Sequence, residues 1–141
     1  LIRQRLYRAV DELEPTPAAY NGKLFAMFLP EREIHDISLL MVHYLMRSAG
    51  YKSLFLGQSV PLEDLTQLDK QFPGLNCVAY CTTYPSEVGV NDYLARVLRE
   101  SEGTSLQFHF AGRVFDGVDS PHDRMNCHGN GQSLIGALMN L

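Results

Sequence analysis

"KLFAMFLPEREIHDISLLMVHYLMRSAGYKSLFLG", residues 23–57, changes its pattern three times. The opening run is continuously apolar and stops at Pro30, as a strand buried on both faces should. From Ile37 the apolar positions recur at helical spacing as far as Ala49, and Gly50 stands where a helix C-terminus favours glycine. "YKSLFLG" then reads as a second strand. Strand, helix and strand in this order make a right-handed crossover between parallel neighbours.

The alternation continues downstream. "SVPLEDLTQLDKQFPG" is a helix with Ser59 near its N-cap and Pro61 in its first turn, closed by Pro73 and Gly74. "LNCVAYC" is a third buried strand, and "PSEVGVNDYLARVLRESEG" a third helix, capped by Ser86 and ended at Gly103. "SLQFHFAG" is a fourth strand; a short strand over 125–128 and a helix over 132–141 complete the pattern. The expected fold is a flavodoxin-like, doubly wound α/β domain with a parallel sheet of about five strands. Upstream, "LIRQRLYRAVDELE" carries Ile2, Leu6, Ala9, Val10 and Leu13 at helical spacing before Pro15 and Pro17 break it. Residues 1–20 are therefore expected to end a separate helical element, and 21–141 to form the α/β domain. The chain opens on Leu1 rather than Met, so we expect a fragment of something longer.

Composition narrows the function. The 141 residues are 45 % hydrophobic and 20 % charged, ordinary for a globular chain. A net charge of −4 argues against the domain itself gripping a phosphate backbone. The apolar runs 24–29 and 37–46 fall short of the roughly 20 residues that span a bilayer, so no membrane association is expected. Three cysteines, Cys77, Cys81 and Cys127, are an odd number, two of them in a buried strand. They read as reduced thiols and point to a cytoplasmic protein.

Open α/β sheets bind ligands beyond the carboxyl ends of their strands, where strand order reverses. The candidate loops are 30–36, 57–61, 82–86 and 112–115, and His35 lies in the first. The helix after it has one apolar face at Ile37, Leu40, Met41, Tyr44 and Leu45, wide enough to cover the sheet. A second stripe, Leu39, Val42 and Met46, continues the line from His35 and is expected to meet another body. Glu33, two residues before His35, could accept its Nδ1–H and leave Nε2 for a metal. Alternatively, Glu33 and Asp36 serve only the charge of the helix N-terminus.

Other chemistries lack their devices. No glycine-rich phosphate loop follows the first strand, no Gly-x-Ser-x-Gly occurs, and Cys77 and Cys81 have no zinc-site spacing. The third strand ends in Cys81 rather than the aspartate a receiver domain needs. His43 and His109 fall within elements and read as packing residues. His122 and His128, with Asp119, Asp123 and Cys127, fit no standard metal spacing.

The stretch "LPEREIHDISLLMVHYLMRSAGYKSLFLGQSVPLEDL" resembles the cobalamin-binding domain, whose first loop reads Asp-x-His-x-x-Gly. It is closest to the C-terminal sensory domain of MerR-type bacterial transcription regulators, where a helix-turn-helix and a helical bundle precede that fold. The resemblance covers about residues 22–115. It implies that His35 ligates cobalt from below, that Glu33 stands for the aspartate that orients it, and that Ser38 stands for the glycine making room for the nucleotide tail. Cys81, Thr82 and Thr83 replace a Ser-x-Leu motif, and Ala111–Gly112 keeps half of a Gly-Gly. Ile34, Asp36, Ser59, Val60, Tyr84 and Arg113 would complete the lining of the corrin and its tail. On this resemblance we expect a ligand-sensing domain of a MerR-like regulator without catalysis of its own. It would take cobalamin or another small-molecule effector, meet DNA only through an N-terminal domain, and be capable of homo-oligomerisation. The alternatives are a cobalamin-carrying module of a corrinoid methyltransferase or mutase, and a cofactor-free dimerisation domain.

Overall fold

The computed structural model describes residues 23–141 together with Gln4 and Arg8; the expected upstream helix and the boundary near residue 20 otherwise lie outside the described residues. Among the described residues five strands and four α-helices follow one another: β1 (Leu24–Phe28), α1 (Ile37–Ser48), β2 (Lys52–Gly57), α2 (Leu62–Gln71), β3 (Asn76–Tyr80), α3 (Val90–Glu100), β4 (Gln107–Ala111), β5 (Met125–His128) and α4 (Gly131–Met139). A single turn of 3-10 helix, Arg113–Phe115, follows β4. All strand pairs are parallel and the sheet runs β2-β1-β3-β4-β5. This is the flavodoxin-like order, with its reversal between β1 and β3. No helix among the described residues is long and apolar enough to cross a membrane.

Alternation along the strands divides the core in two. Ala26, Phe28, Cys77, Ala79, Phe108 and Phe110 face α2 and α3, where the rings of Phe108, Phe110 and Phe115 stack at centroid separations of 5.9 and 5.2 Å. Phe25, Met27, Leu29 and Val78 face the other way, under Leu39, Val42 and Met46 of α1 and Leu134 and Leu138 of α4.

That arrangement reverses the expected phase of α1. Leu39, Val42 and Met46 cover the sheet, and of the expected face only Leu40 is buried, whereas Ile37, Met41 and Leu45 stand 36–42 % exposed. His43 shows why: its Nδ1 bonds Ser53 Oγ of β2 at 2.7 Å and its ring lies 5.5 Å from Phe55, which locks the helix in this rotation. Two caps also differ from expectation. α2 begins at the extended Pro61 with no side-chain cap, and Ser59 instead takes a left-handed φ of +56° in the turn before it. α3 begins only at Val90; Ser86 Oγ accepts the Gly89 N–H at 3.1 Å in the turn preceding it.

Candidate functional site

The loops after β1, β2 and β3 meet above the reversal of strand order, and a single buried carboxylate ties two of them together. Glu33 is fully buried. Its Oε2 accepts the consecutive backbone N–H groups of Thr82 (3.2 Å), Thr83 (2.7 Å) and Tyr84 (2.7 Å), and the Thr83 hydroxyl at 3.2 Å. Successive amides pointing one way form a concave anion site, here filled by the chain's own side chain. Oε1 accepts the His35 backbone N–H and faces His35 Nδ1, each at 3.0 Å. Burial pushes this carboxyl up, but the amides of Tyr84, Thr83 and His35 and the His35 ring outweigh it, holding Glu33 below its ordinary value near 4.5.

An ionised carboxylate can only accept, so Nδ1 carries the proton in this contact, and the tautomer it selects has its lone pair on Nε2. The His35 side chain is 52 % exposed. Loop 30–36 is pinned from the second loop as well, since Gln58 Nε2 donates to Ile34 O at 3.0 Å. Loop 57–61 is itself strapped to β1 by Leu29 N–H on Gly57 O and Val60 N–H on Leu29 O. The result is a positioned imidazole at the mouth of the sheet, with exposed Ile34 beside it. A ring so oriented by a carboxylate is the arrangement of a metal-ligating histidine.

The other expected site residues divide. Thr82, Thr83 and Tyr84 act on Glu33, three of their four contacts coming from the backbone. Glu33 therefore does more than favour a helix N-terminus; Asp36 takes that end, as the buried N-cap residue of α1. Ser38 is half-buried in the first turn of α1, Val60 is buried, and Ser59 and Arg113 are exposed. Cys81 is buried. It continues the Cys77–Ala79 side of β3 in the core beneath α2 and α3. Thr83, two residues on, carries the hydroxyl that reaches Glu33. Gly112 has a sharper constraint: at φ +134°, a Cβ would lie 2.1 Å from Cys81 O. Only glycine allows the loops after β3 and β4 to approach this closely. Sequence pattern missed Gln58, whose role depends on the turn that Gly57 opens with φ +80°.

Among the described residues no group of three or more His, Cys, Asp or Glu side chains could hold a metal. In the 119–128 segment, His122 Nδ1 receives the Arg124 N–H and His128 Nδ1 bonds Ser133 Oγ, both local structural roles.

No protein-family model matches the sequence, and no curated protein matches it. Solved structures do. The chain is similar to the monomethylamine corrinoid protein of Methanosarcina barkeri, with 20 % identity and a TM-score of 0.64 over 97 % of this chain and 62 % of that one. It is similar to a cobalamin-binding protein from Desulfitobacterium hafniense DCB-2, with 13 % identity and a TM-score of 0.60 over 84 % of this chain and 58 % of that one. It is also similar to the methanol:cobalamin methyltransferase complex of Methanosarcina barkeri, with 18 % identity and a TM-score of 0.58 over 84 % of this chain and 47 % of that one. The chain thus spans less than two thirds of each of these proteins. At such identities the likeness establishes architecture: the domain has the parallel, flavodoxin-like α/β fold of these corrinoid and cobalamin-binding structures.

Proposed function

We propose that this domain binds cobalamin, with His35 Nε2 as the atom that would ligate cobalt and Glu33 as the group that fixes the ring. One observation carries the proposal. The Glu33–His35 Nδ1 contact of 3.0 Å, backed by the amides of residues 82–84, leaves a half-exposed imidazole nitrogen at the switch point. The residues present fit the group at this position, because the imidazole has Nδ1 satisfied by Glu33 and its side chain half-exposed. Bound cobalamin supplies a cobalt centre that can accept and release a methyl group. The chain's own part is to hold the ligating ring, keep its proton on Nδ1, and present Ile34 and the loop edges to the corrin.

Of the two settings for such a module, a corrinoid carrier serving a methyltransferase has the wider support, since two of the three similar structures are a corrinoid protein and a methyltransferase complex. A MerR-like sensor remains the second reading, favoured by Ser38 and Ala111, which add side-chain volume where the resembled motif has glycines. In neither setting does this domain catalyse alone. Mixing the protein with hydroxocobalamin, then gel filtration and washing, tests the proposal. Retained corrin absorbance whose spectrum changes in His35→Ala supports it; absence of retained colour overturns it. The sensor setting additionally predicts a helix-turn-helix in residues preceding Leu1, and the carrier setting predicts none.

A further inference from the structure

The fold offers a ligand one natural crevice, between the carboxyl ends of β1 and β3, where strand order reverses. Here the chain fills that crevice itself. The Glu33 side chain is fully buried in it and accepts the amides of Thr82, Thr83 and Tyr84. Three successive amides make a site for a phosphate or a carboxylate, and this one already holds its anion. The neighbouring gap is closed as well. A Cβ on Gly112 would stand 2.1 Å from Cys81 O, so the loops after β3 and β4 touch.

Beneath the His35 loop, the layer between the sheet and helices α1 and α4 is equally full. Leu29, Leu39, Ala111 and Leu134 meet there, all fully buried. Helices α1 and α4 lie side by side over them. At the carboxyl end of β3 the Tyr80 ring stands against the first residue of α4, where a Cβ on Gly131 would come within 3.2 Å of it. Packed layers of this kind hold few voids larger than a water molecule, whereas benzene alone takes a cavity of about 150 Å3. A larger aromatic group enters only if α1 and α4 part.

Cobalamin carries a dimethylbenzimidazole nucleotide, joined through a phosphodiester, on one face of its corrin. A histidine ligates cobalt on that face only after the nucleotide base has left the metal, and the displaced nucleotide then has to lie elsewhere. We infer that this domain gives it no pocket: it recognises a corrinoid by ring and cobalt alone, and prefers cobinamide, which has no nucleotide, to cobalamin. The inference rests on His35 as the cobalt ligand proposed above. Its grounds are steric and electrostatic together. The base meets a closed apolar layer, and the phosphodiester meets the Glu33 carboxylate at the amides that would otherwise receive it. Cobalamin therefore gives up its own base with no protein contact in return, a cost that cobinamide does not carry.

Spectral titration of the protein with hydroxocobinamide and, separately, with hydroxocobalamin tests this, each repeated on His35→Ala. The expected corrin spectrum shifts on binding and loses that shift in His35→Ala, and the Kd for cobinamide is at least about tenfold lower than that for cobalamin. Phosphorus NMR of the cobalamin complex reads the nucleotide directly, because cobalamin has a single phosphorus. Its line should stay close to the width seen in free cobalamin, since a nucleotide outside the protein keeps its fast local motion. Cobalamin binding as tightly as cobinamide, or a phosphorus line broadened to the tumbling of the whole protein, would overturn the inference and leave the cobalamin reading standing. A shift dependent on His35 with neither corrinoid would remove that reading, and this inference with it, only by its absence from both titrations.

Discussion

Glu33 is the residue on which the loop face turns. It joins the His35 segment to three amides some fifty positions later, and no spacing rule in the chain announces a contact of that separation. What the sequence did make legible was the local pair, since a carboxylate two residues before a histidine is a short-range signal. The substitution Glu33→Gln sets an amide NH2 or a weaker carbonyl acceptor against a cluster of donors. We expect a loss of about 2–3 kcal/mol of stability in urea denaturation. Acid has a related effect. The folded Glu33 carboxyl is held below 4.5, so its contribution is present above that value and is lost as pH falls through the lower folded one. The wild type should show a destabilising acid limb below about pH 4.5 that is smaller in Glu33→Gln.

At the scale of the element, α1 was visible as a helix with two apolar stripes, but periodicity alone could not say which stripe meets the sheet. The answer came from His43, whose pairing with Ser53 involves a partner on another strand. The phase is testable by truncation. Leu39→Ala, from a fully buried position, should cost about 2–5 kcal/mol, and Met41→Ala, 42 % exposed, within about 0.5 kcal/mol. Equal costs in chemical denaturation would contradict the observed rotation. His43 also gives the element a pH signature. Burial, with Arg47 nearby, lowers it from 6.5 to about 4, and burial, with His128 nearby, does the same for His109. Both rings stay neutral in the folded chain while the unfolded chain takes up protons, so stability is full above pH 6.5 and declines from there towards pH 4. Between pH 6.5 and 5 the decline should be about 1.6 kcal/mol per histidine, and His43→Asn should remove about half of it.

For the whole molecule, the strand–helix alternation carried enough information to read a five-stranded parallel sheet, and the switch-point rule placed His35 at its mouth. Buried strands and long periodic helices are local patterns, which is why they were readable. Contacts that depend on folding were not: the burial of Cys81 and the close approach that demands Gly112 both follow from how helices and loops lie across the sheet. On the loop face, Glu33, itself held by the amides of residues 82–84, orients the His35 imidazole. If that ring ligates cobalt, its nitrogen must leave a magnetic trace. The most direct measurement is electron paramagnetic resonance of cob(II)alamin bound to protein grown with 15N-histidine. The axial nitrogen splitting should change from the three lines of 14N to the two of 15N, and the labelled splitting should vanish in His35→Ala. A three-line splitting indifferent to the label would mean that the nitrogen below cobalt does not come from this protein's histidines, and would contradict the account.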